Sequence, residues 1–339
     1  MIVVKKQTYF LIWLAFSLTL LSVLLIACDR GGGRGAAAGD RFPTRPVEVI
    51  MHFGPGGGTD LYVRSIAVDG SRNLGQSVVP VSVTGGGGMY AWERFVSQPA
   101  DGHTLFALGP EQIIMHNLDM IDLLAAMYPL MRSQSDTFVY FSRGDDARFP
   151  TIEAVIEYAR ANPGSLTIAG TSPASFDEVH IGLFAIEHGI EINYVPFPSA
   201  AQAFAAVLGG SVDILGEEVG PAADLIQSGH LRPLVVFVDM DSVDNPMLAN
   251  IRTSQALGWS SSLTMGRWRG LGIARGTDPE QKRIFVDAFY RAMQGTAYRN
   301  MERENLLDIR PGFMGTEEFT EFFRTEIEIY RRVMDAIGM

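Results

Sequence analysis

The chain has 339 residues, 47% of them hydrophobic, and a formal net charge of −11. Without residues 1–27, which are interpreted below as a signal segment, 25 basic and 38 acidic residues remain and the net charge is −13. This acidic balance argues against a nucleic-acid-binding protein. A bound anion would have to be held by local dipoles, because the overall field repels it. The length suffices for one large or two medium domains with real cores.

The N-terminal segment is typical of an exported protein. Lys5 and Lys6 precede an uncharged apolar run that ends at Ala27, and polar and glycine residues follow it. We interpret residues 1–27 as a lipoprotein signal peptide, with an uncleaved membrane anchor as the alternative. Cys28, the only cysteine, resembles the acylated cysteine of the bacterial lipobox. The sequence therefore predicts an extracytoplasmic protein that is lipid-anchored to a bacterial membrane, with residues 28–41 as a flexible tether.

A glycine-rich loop follows the first apolar run of β-forming residues. Residues 52–60 read His-Phe-Gly-Pro-Gly-Gly-Gly-Thr-Asp, and an apolar-periodic helix comes next. Loop amides without neighbouring Cβ atoms, together with a helix N-terminus, make an anion site. No Lys-Ser/Thr pair closes a Walker loop, and Thr59 breaks the dinucleotide fingerprint, so a carboxylate fits better than a nucleotide. A tight turn without a ligand is the alternative. The candidate ligand-binding residues here are Gly56, Gly57, Gly58, Thr59 and Asp60.

Asp60 is expected to play a different part from the glycines beside it. A carboxylate that pointed into an anion site would repel the ligand. We therefore expect Asp60 to brace the loop by accepting hydrogen bonds from backbone N–H groups.

Apolar β-rich runs alternate with helical patterns along the rest of the chain. The further predicted strands are 78–83, 104–108, 166–169, 192–197, 212–215 and 231–238. Helical periodicity is found over 151–161, after Asp278-Pro279, and over about 316–337, where an aromatic stripe is expected to be core. This alternation predicts an α/β fold with parallel sheets and a ligand at the carboxyl ends of the strands.

Two further loops carry candidate ligand-binding residues. Gly86 and Gly87 lie in a second glycine loop after the strand at 78–83. Thr171, Ser172 and Ser175 follow the strand at 166–169 and offer hydroxyl donors near another helix start.

The second of these loops, Gly-Thr-Ser-Pro-Ala, also imitates a nucleophile elbow, which leaves a serine hydrolase using Ser172 as an alternative. Such an enzyme needs a histidine late in the chain, and none follows His230. The six histidines show no metal or triad spacing and are expected at surface or capping positions. We therefore expect no enzyme, no metal and no cofactor.

Short motifs along residues 42–339 give the chain a family resemblance. They are Arg-Pro at 45–46, Phe-Gly-Pro-Gly-Gly-Gly-Thr-Asp at 53–60, Asp-Gly-His-Thr-Leu at 101–105, Ala-Arg-Ala-Asn-Pro-Gly at 159–164, Val-Pro at 195–196, Leu-Gly-Gly-Ser-Val-Asp at 208–213, Gly-His-Leu-Arg at 229–232 and Trp-Arg-Gly-Leu-Gly at 268–272. In this order they resemble the substrate-binding proteins of tripartite tricarboxylate transporters, the Bug family of solute receptors.

The resemblance implies a type 2 periplasmic-binding-protein fold, with two α/β lobes, a ligand cleft between them and two crossover strands. It implies lobe I over 42–136, lobe II over 137–268, and a return to lobe I with C-terminal helices over 269–339. It also implies capture of a small organic acid and its delivery to membrane permease subunits. Loop amides of both lobes would hold the ligand carboxylate. A sensory subunit that presents a ligand to a signalling partner would share this fold.

Departures of this sequence from the family pattern bear on the class of ligand that it binds. Ser172 and Ala174 stand where glycines are usual, and Phe197-Pro198-Ser199 replaces a Tyr-Lys-Gly, so a cationic side chain is lost. Glu217 and Glu218 follow the predicted strand 212–215 and would face the cleft. We count Phe197 and Glu217 as ligand-binding candidates. The loss of a cationic side chain and the presence of these carboxylates favour an amino acid, or another ligand with one carboxylate and one ammonium or polar group. Alternatively, Glu217 and Glu218 could be a solvated pair.

Overall fold

The computed structural model describes residues 42–310 and 312–339. Within it, Arg45–Met339 forms one compact unit, which contains both sheets. The predicted signal peptide, the tether and Cys28 lie outside the described residues. None of the helices in the described ranges has both the length and the apolar character needed to cross a bilayer.

The first of two sheets has five strands in the order β2-β1-β3-β10-β4. Its strands are β1 Val47–Met51, β2 Val78–Ser82, β3 Thr104–Leu108, β4 Met127–Ser135 and β10 Trp268–Ala274. β1 runs parallel to β2 and β3, whereas β10 runs antiparallel to β3 and β4.

The second sheet also has five strands, in the order β7-β6-β8-β5-β9. Its strands are β5 Phe138–Arg143, β6 Leu166–Thr171, β7 Ile192–Phe197, β8 Ile214–Glu218 and β9 Leu231–Phe237. β6 runs parallel to β7 and β8, and β5 runs antiparallel to β8 and β9.

Both sheets are therefore mixed, and the expectation of parallel sheets was wrong. β4 ends at Ser135 and β5 begins at Phe138, so two residues lead the chain from one sheet to the other. β5 therefore enters the second sheet at the edge where β8 ends, with Phe138 paired to Glu218. A strand that starts at this edge must run antiparallel to its neighbour. Thirty residues separate β10 from the end of β9, and β10 also runs against its neighbours in the first sheet. The exact lobe boundaries stay predictions.

Helices connect the strands and cover the sheets. They are α1 Gly58–Leu74, α2 Met89–Val96, α3 Pro110–Asn117, α4 Leu123–Ala126, α5 Ile152–Ala161, α6 Phe176–His188, α7 Ala200–Leu208, α8 Val219–Gln227, α9 Pro279–Met293, α10 Thr296–Glu304 and α11 Thr316–Ile337. The two-sheet α/β architecture agrees with the predicted receptor fold.

The predicted strand 212–215 is displaced in the structure. β8 begins at Ile214 and extends to Glu218, and the side chain of Asp213 accepts hydrogen bonds from the backbone N–H and the hydroxyl of Thr167. Glu217 and Glu218 are therefore the last two residues of a buried strand and do not follow it. Because both side chains are polar, the hydrophobicity pattern did not indicate that the strand continues through them.

The C-terminal helix closes the first sheet. Phe319 and Phe323 of α11 are buried and pack edge-on against Trp268, the first residue of β10. The indole Nε1 of Trp268 donates a hydrogen bond to Glu326 Oε2 at 3.2 Å. The aromatic stripe of α11 is thus core, as predicted, although Phe322 is only half-buried.

Candidate ligand-binding site

A cavity of about 480 Å³ opens where strands of both sheets terminate. The segments that follow β1, β4, β6, β7 and β8 line it, together with the start of β10. This is the edge at which α/β sheets bind ligands. Four of the predicted residues from the first loop line it, namely Gly56, Gly57, Gly58 and Thr59.

The first wall is the glycine loop and the start of α1. Gly56 has φ +86°, a conformation that residues with side chains seldom adopt. A Cβ atom on Gly58 would lie 2.5 Å from Nη2 of Arg269, so only glycine lets that arginine approach. α1 begins at Gly58 with Gly57 as its N-cap, which leaves the amides of the first turn without acceptors inside the helix. These amides are suited to an anion.

Asp60 lies behind the first wall and does not line the cavity. Its Oδ2 accepts a hydrogen bond from the backbone N–H of Gly56 at 3.0 Å, and Arg64 Nε donates to its Oδ1 at 2.8 Å. Burial alone would raise the pKa of Asp60, but these bonds outweigh it and lower the pKa below its usual value. The backbone hydrogen bond expected of Asp60 is present, and its stabilising effect on the loop stays a prediction.

The second wall contains Thr171 and Ser172 after β6. The backbone N–H and the hydroxyl of Thr171 both donate to Asp177 Oδ2, at 2.6 and 2.7 Å. Thr171 is therefore committed to the protein, contrary to the expectation that its hydroxyl is a ligand donor. The Ser172 hydroxyl makes no hydrogen bond to any described residue, so it alone of the three predicted hydroxyls is available. Ser175 caps α6 and contacts the Tyr194 hydroxyl at 3.3 Å.

Two more helix N-termini reach the same cavity. Ser199 caps α7, and Ser199 and Ala200 are among the lining residues. α8 begins at Val219, also a lining residue, with Glu218 as its cap. Together with α1, three helices direct the positive ends of their dipoles at one space.

Two arginines that the sequence reading did not treat as site residues form the floor of the cavity. Arg269 lies in β10 and is buried. Its Nε donates to the Thr59 hydroxyl at 3.2 Å, its Nη2 donates to Glu218 at 3.1 Å, and its Nη1 contacts Asp136. It thereby ties the first glycine loop to the end of β8 in the other sheet.

Arg267 precedes β10 and reaches into the second half of the molecule. Its Nη2 donates to Asp177 at 2.7 Å and its Nη1 to Glu218 at 3.2 Å, while Nε lies 3.7 Å from Glu111. Burial opposes the ionisation of Glu218, yet the two arginines outweigh it and hold its pKa below the usual range. Arg267 and Arg269 flank a buried tryptophan at alternate positions, and that pattern could have marked them in the sequence.

Glu217 differs from its neighbour Glu218. It lines the cavity, is 2% exposed and forms no salt bridge with any described residue. Its Oε1 accepts the backbone N–H of Glu218 at 2.9 Å, and its Oε2 is buried without a partner. Burial, reinforced by Glu218 and Asp177, raises the pKa of Glu217 to about 8. The alternative of a solvated acidic pair is therefore wrong.

Five predicted ligand-binding residues lie outside the cavity lining. They are Asp60, Gly86, Gly87, Ser175 and Phe197. Gly86 and Gly87 form a short helical turn before α2, and Phe197 packs against the apolar core of the second sheet. Direct contact with a ligand in this cavity is not expected of them. The residues Pro198 and Ser199, which follow Phe197, take its place in the lining.

The histidines lie deeper than the sequence suggested. His52, His103 and His180 are buried, so the expectation of surface positions was wrong for these three. Burial lowers the pKa of His180 to about 3, and its ring nitrogens contact the Tyr140 hydroxyl and the Leu263 carbonyl. No histidine in the described part of the chain hydrogen-bonds Ser172. Likewise, residues 42–310 and 312–339 contain no group of three or more His, Cys, Asp or Glu side chains placed to hold a metal ion.

The family model for the "Tripartite tricarboxylate transporter family receptor" matches residues 62–339. A protein of Cupriavidus necator described as "UPF0065 protein in gbd 5'region" is 28% identical over 311 residues, covering 89% of this chain and 90% of its own length. Protein BugT of Bordetella pertussis is 26% identical over 266 residues, covering 77% of this chain and 80% of its own length.

Solved structures show the same fold. A Rhodopseudomonas palustris protein solved with adipate aligns with a TM-score of 0.75 at 23% identity, covering 88% of this chain and 98% of that one. MatC of the same species, with bound malate, aligns with a TM-score of 0.73 at 21% identity, covering 86% of this chain and 99% of that one. These likenesses establish a two-lobe solute-binding-protein fold. With the family match over residues 62–339, they place this chain among the extracytoplasmic receptors of the tripartite tricarboxylate transporter family.

Proposed function

We propose that this receptor captures a small carboxylate-bearing metabolite in the cavity between its sheets and delivers it to a tripartite tricarboxylate-type permease. The observation that carries the proposal is the meeting of three helix N-termini and a glycine loop at one cavity. The backbone amides of Gly57, Gly58 and Thr59 would hold the carboxylate, with the Ser172 hydroxyl opposite them. The adipate and malate of the two R. palustris structures are ligands of this chemical class.

The energetics favour a site shared between the two sheets. Three or four charge-assisted hydrogen bonds at about 1.5–3 kcal/mol each would contribute roughly 5–12 kcal/mol. Association costs about 4–15 kcal/mol in lost freedom. One loop is therefore insufficient for micromolar binding, which needs about 8 kcal/mol, and donors from the second wall are required. Closure of two halves around the ligand supplies them.

Gly58→Ala tests this proposal. The added Cβ would displace either the loop or Arg269, so we expect carboxylate affinity to fall at least about tenfold. Titration calorimetry with malate, adipate and shorter monocarboxylates measures it. Gly315→Ala is the matched control, because Gly315 also lies at a helix start, as the N-cap of α11, and has open space around its Cβ position. Failure of every carboxylate to bind, or equal binding to the Gly58 variant, would contradict the proposal.

We further propose that acylated Cys28 tethers the receptor to the lipid bilayer. The proposal rests on the sequence around Cys28, on the apolar run before it and on the extracytoplasmic family.

A further inference from the structure

Carboxyl groups outnumber guanidinium groups at the base of the cavity. Two arginines, Arg267 and Arg269, face a set of five acidic side chains that we call the acid cluster: Glu111, Asp136, Asp177, Glu217 and Glu218. If every group were ionised, the region would carry three uncompensated negative charges. A low-dielectric site does not tolerate such an excess without protons or a cation.

Every terminal nitrogen of the two arginines already contacts a carboxyl group of the protein. Both terminal nitrogens of Arg269 already contact carboxyl groups, and its Nε donates to Thr59. Both terminal nitrogens of Arg267 also donate to carboxyl groups, and its Nε faces Glu111 at 3.7 Å. A second ligand carboxylate would have to share these guanidinium groups with the acid cluster, whose excess negative charge opposes it.

Three cavity-lining side chains present polar atoms that have no partner in the described chain. They are Gln134 Oε1, Thr137 Oγ1 and Glu217 Oε2, on residues that are 3%, 1% and 2% exposed. The amide of Gln134 is oriented by its Nε2, which donates to Asp136 Oδ1 at 2.9 Å, so its oxygen is the atom left for a ligand. Unpartnered buried polar atoms are rare in folded proteins and point to a missing group.

We propose that Gln134, Thr137 and Glu217 form a subsite for a hydrogen-bond-donating cation, so that the ligand is a zwitterion with one carboxylate and one ammonium group. The inference rests on the proposed function, because the glycine loop must hold the carboxylate. An ammonium group satisfies the acceptors Gln134 Oε1 and Glu217 Oε2 and offsets the excess charge of the acid cluster. A second carboxylate has no hydrogen to donate to Gln134 Oε1 and would add to the negative charge of the acid cluster.

Calorimetry with ligands matched in length tests the proposal. At four carbons the probes are 2-aminobutanoate, 4-aminobutanoate, butanoate and succinate, and at six carbons they are 2-aminohexanoate, 6-aminohexanoate, hexanoate and adipate. We expect an amino acid of one length to bind at least about tenfold more tightly than the monocarboxylate and the dicarboxylate of the same length.

Glu217→Gln separates recognition from folding. The substitution keeps the shape and removes the charge, so we expect a loss of at least about tenfold in amino-acid affinity and little change in monocarboxylate affinity. Glu191→Gln is the matched control, because Glu191 is exposed and precedes β7 at the opposite edge of the same sheet. Both variants are compared by melting temperature before titration.

Proton linkage gives a second readout that a structural role would not produce. Glu217 is faced by Glu218, Asp177 and Arg267, and it holds its proton at neutral pH because its pKa is raised to about 8. An ammonium group beside it would expel that proton, so binding at about pH 7 should release up to about one proton and tighten as the pH rises towards 8. Calorimetry in buffers of different ionisation enthalpy measures the release, which Glu217→Gln should abolish.

The outcomes distinguish this inference from the proposed function. Tightest binding of the dicarboxylate at both lengths, or proton uptake on binding, overturns the zwitterion subsite and leaves the carboxylate receptor intact. Binding of no probe at either length overturns both. Amino-acid binding with proton release that is lost only in Glu217→Gln establishes the subsite.

Discussion

Asp60 stabilises the glycine loop from outside the cavity. It bridges the N–H of Gly56 and the guanidinium of Arg64 and is 4% exposed. We expect Asp60→Ala to lower the free energy of unfolding by about 1 kcal/mol, the usual effect of losing a capping carboxylate. Chemical denaturation measures this change.

Arg64→Ala is the control for the ion pair alone. Its side chain is 56% exposed, so its loss should have a smaller effect than the loss of the Gly56 bond. If Asp60→Ala left stability unchanged and tightened carboxylate binding, Asp60 would be acting as an electrostatic barrier to the ligand and not as a brace.

The sequence predicted which residues line the two walls of the cavity better than it predicted their hydrogen-bond partners. The glycine loop and its amides follow from composition and position, because glycine alone permits the backbone of Gly56 and the packing of Arg269 on Gly58. The commitment of Thr171 to Asp177 depends on a helix that begins several residues later, and no local pattern announces it. Ser172 and Ala174 have φ of 58° and 49°, which explains in physical terms why glycine suits these two positions.

At the scale of elements, α11 carries a buried carboxyl group that should make stability depend on pH. Glu326 contacts Trp268 of β10, and burial raises its pKa from 4.5 to about 7. Between these two values the unfolded chain is ionised while the folded protein keeps the proton. The contribution of Glu326 to the free energy of unfolding is therefore fully present below about pH 4.5 and is lost as the pH rises through 7.

Glu326→Gln should remove this dependence. Between about pH 5 and pH 7.5 we expect the wild-type protein to lose about 2 to 3 kcal/mol more stability than the variant. Urea denaturation at the two pH values measures the difference. Glu321→Gln, at an exposed position of the same helix, should behave like the wild type. Parallel curves for Glu326→Gln and the wild type would show that Glu326 stays ionised in the folded protein.

The elements that the sequence predicted well have an ordinary apolar pattern. β3 and β7 have the expected bounds, as does α11, because their apolar residues alternate or recur with the proper period. β4, β5 and β10 were not predicted as strands. They lie where the chain passes from one sheet to the other. They carry buried polar residues such as Arg269, whose charge is compensated by Asp136 and Glu218 from distant segments. Such compensation is a tertiary effect that a local pattern does not contain.

At the scale of the whole molecule, the proposed anchor makes a prediction about localisation. Cys28→Ser should leave a folded receptor that is released from the membrane, because only the acyl group is lost and the compact unit begins at Arg45. Fractionation with a carbonate wash, combined with ligand titration of the released protein, measures both parts. Retention of the variant in the washed membranes would show that acylation is not the sole attachment.

The position of β10 has a consequence for synthesis. β3 and β4 both pair with β10 and not with each other, so the first sheet has a gap until residues 268–274 exist. All five strands of the second sheet, residues 138–237, leave the ribosome before that segment does. A nascent chain can therefore complete its second sheet first, while the glycine loop made earliest must wait for Arg269 to arrive.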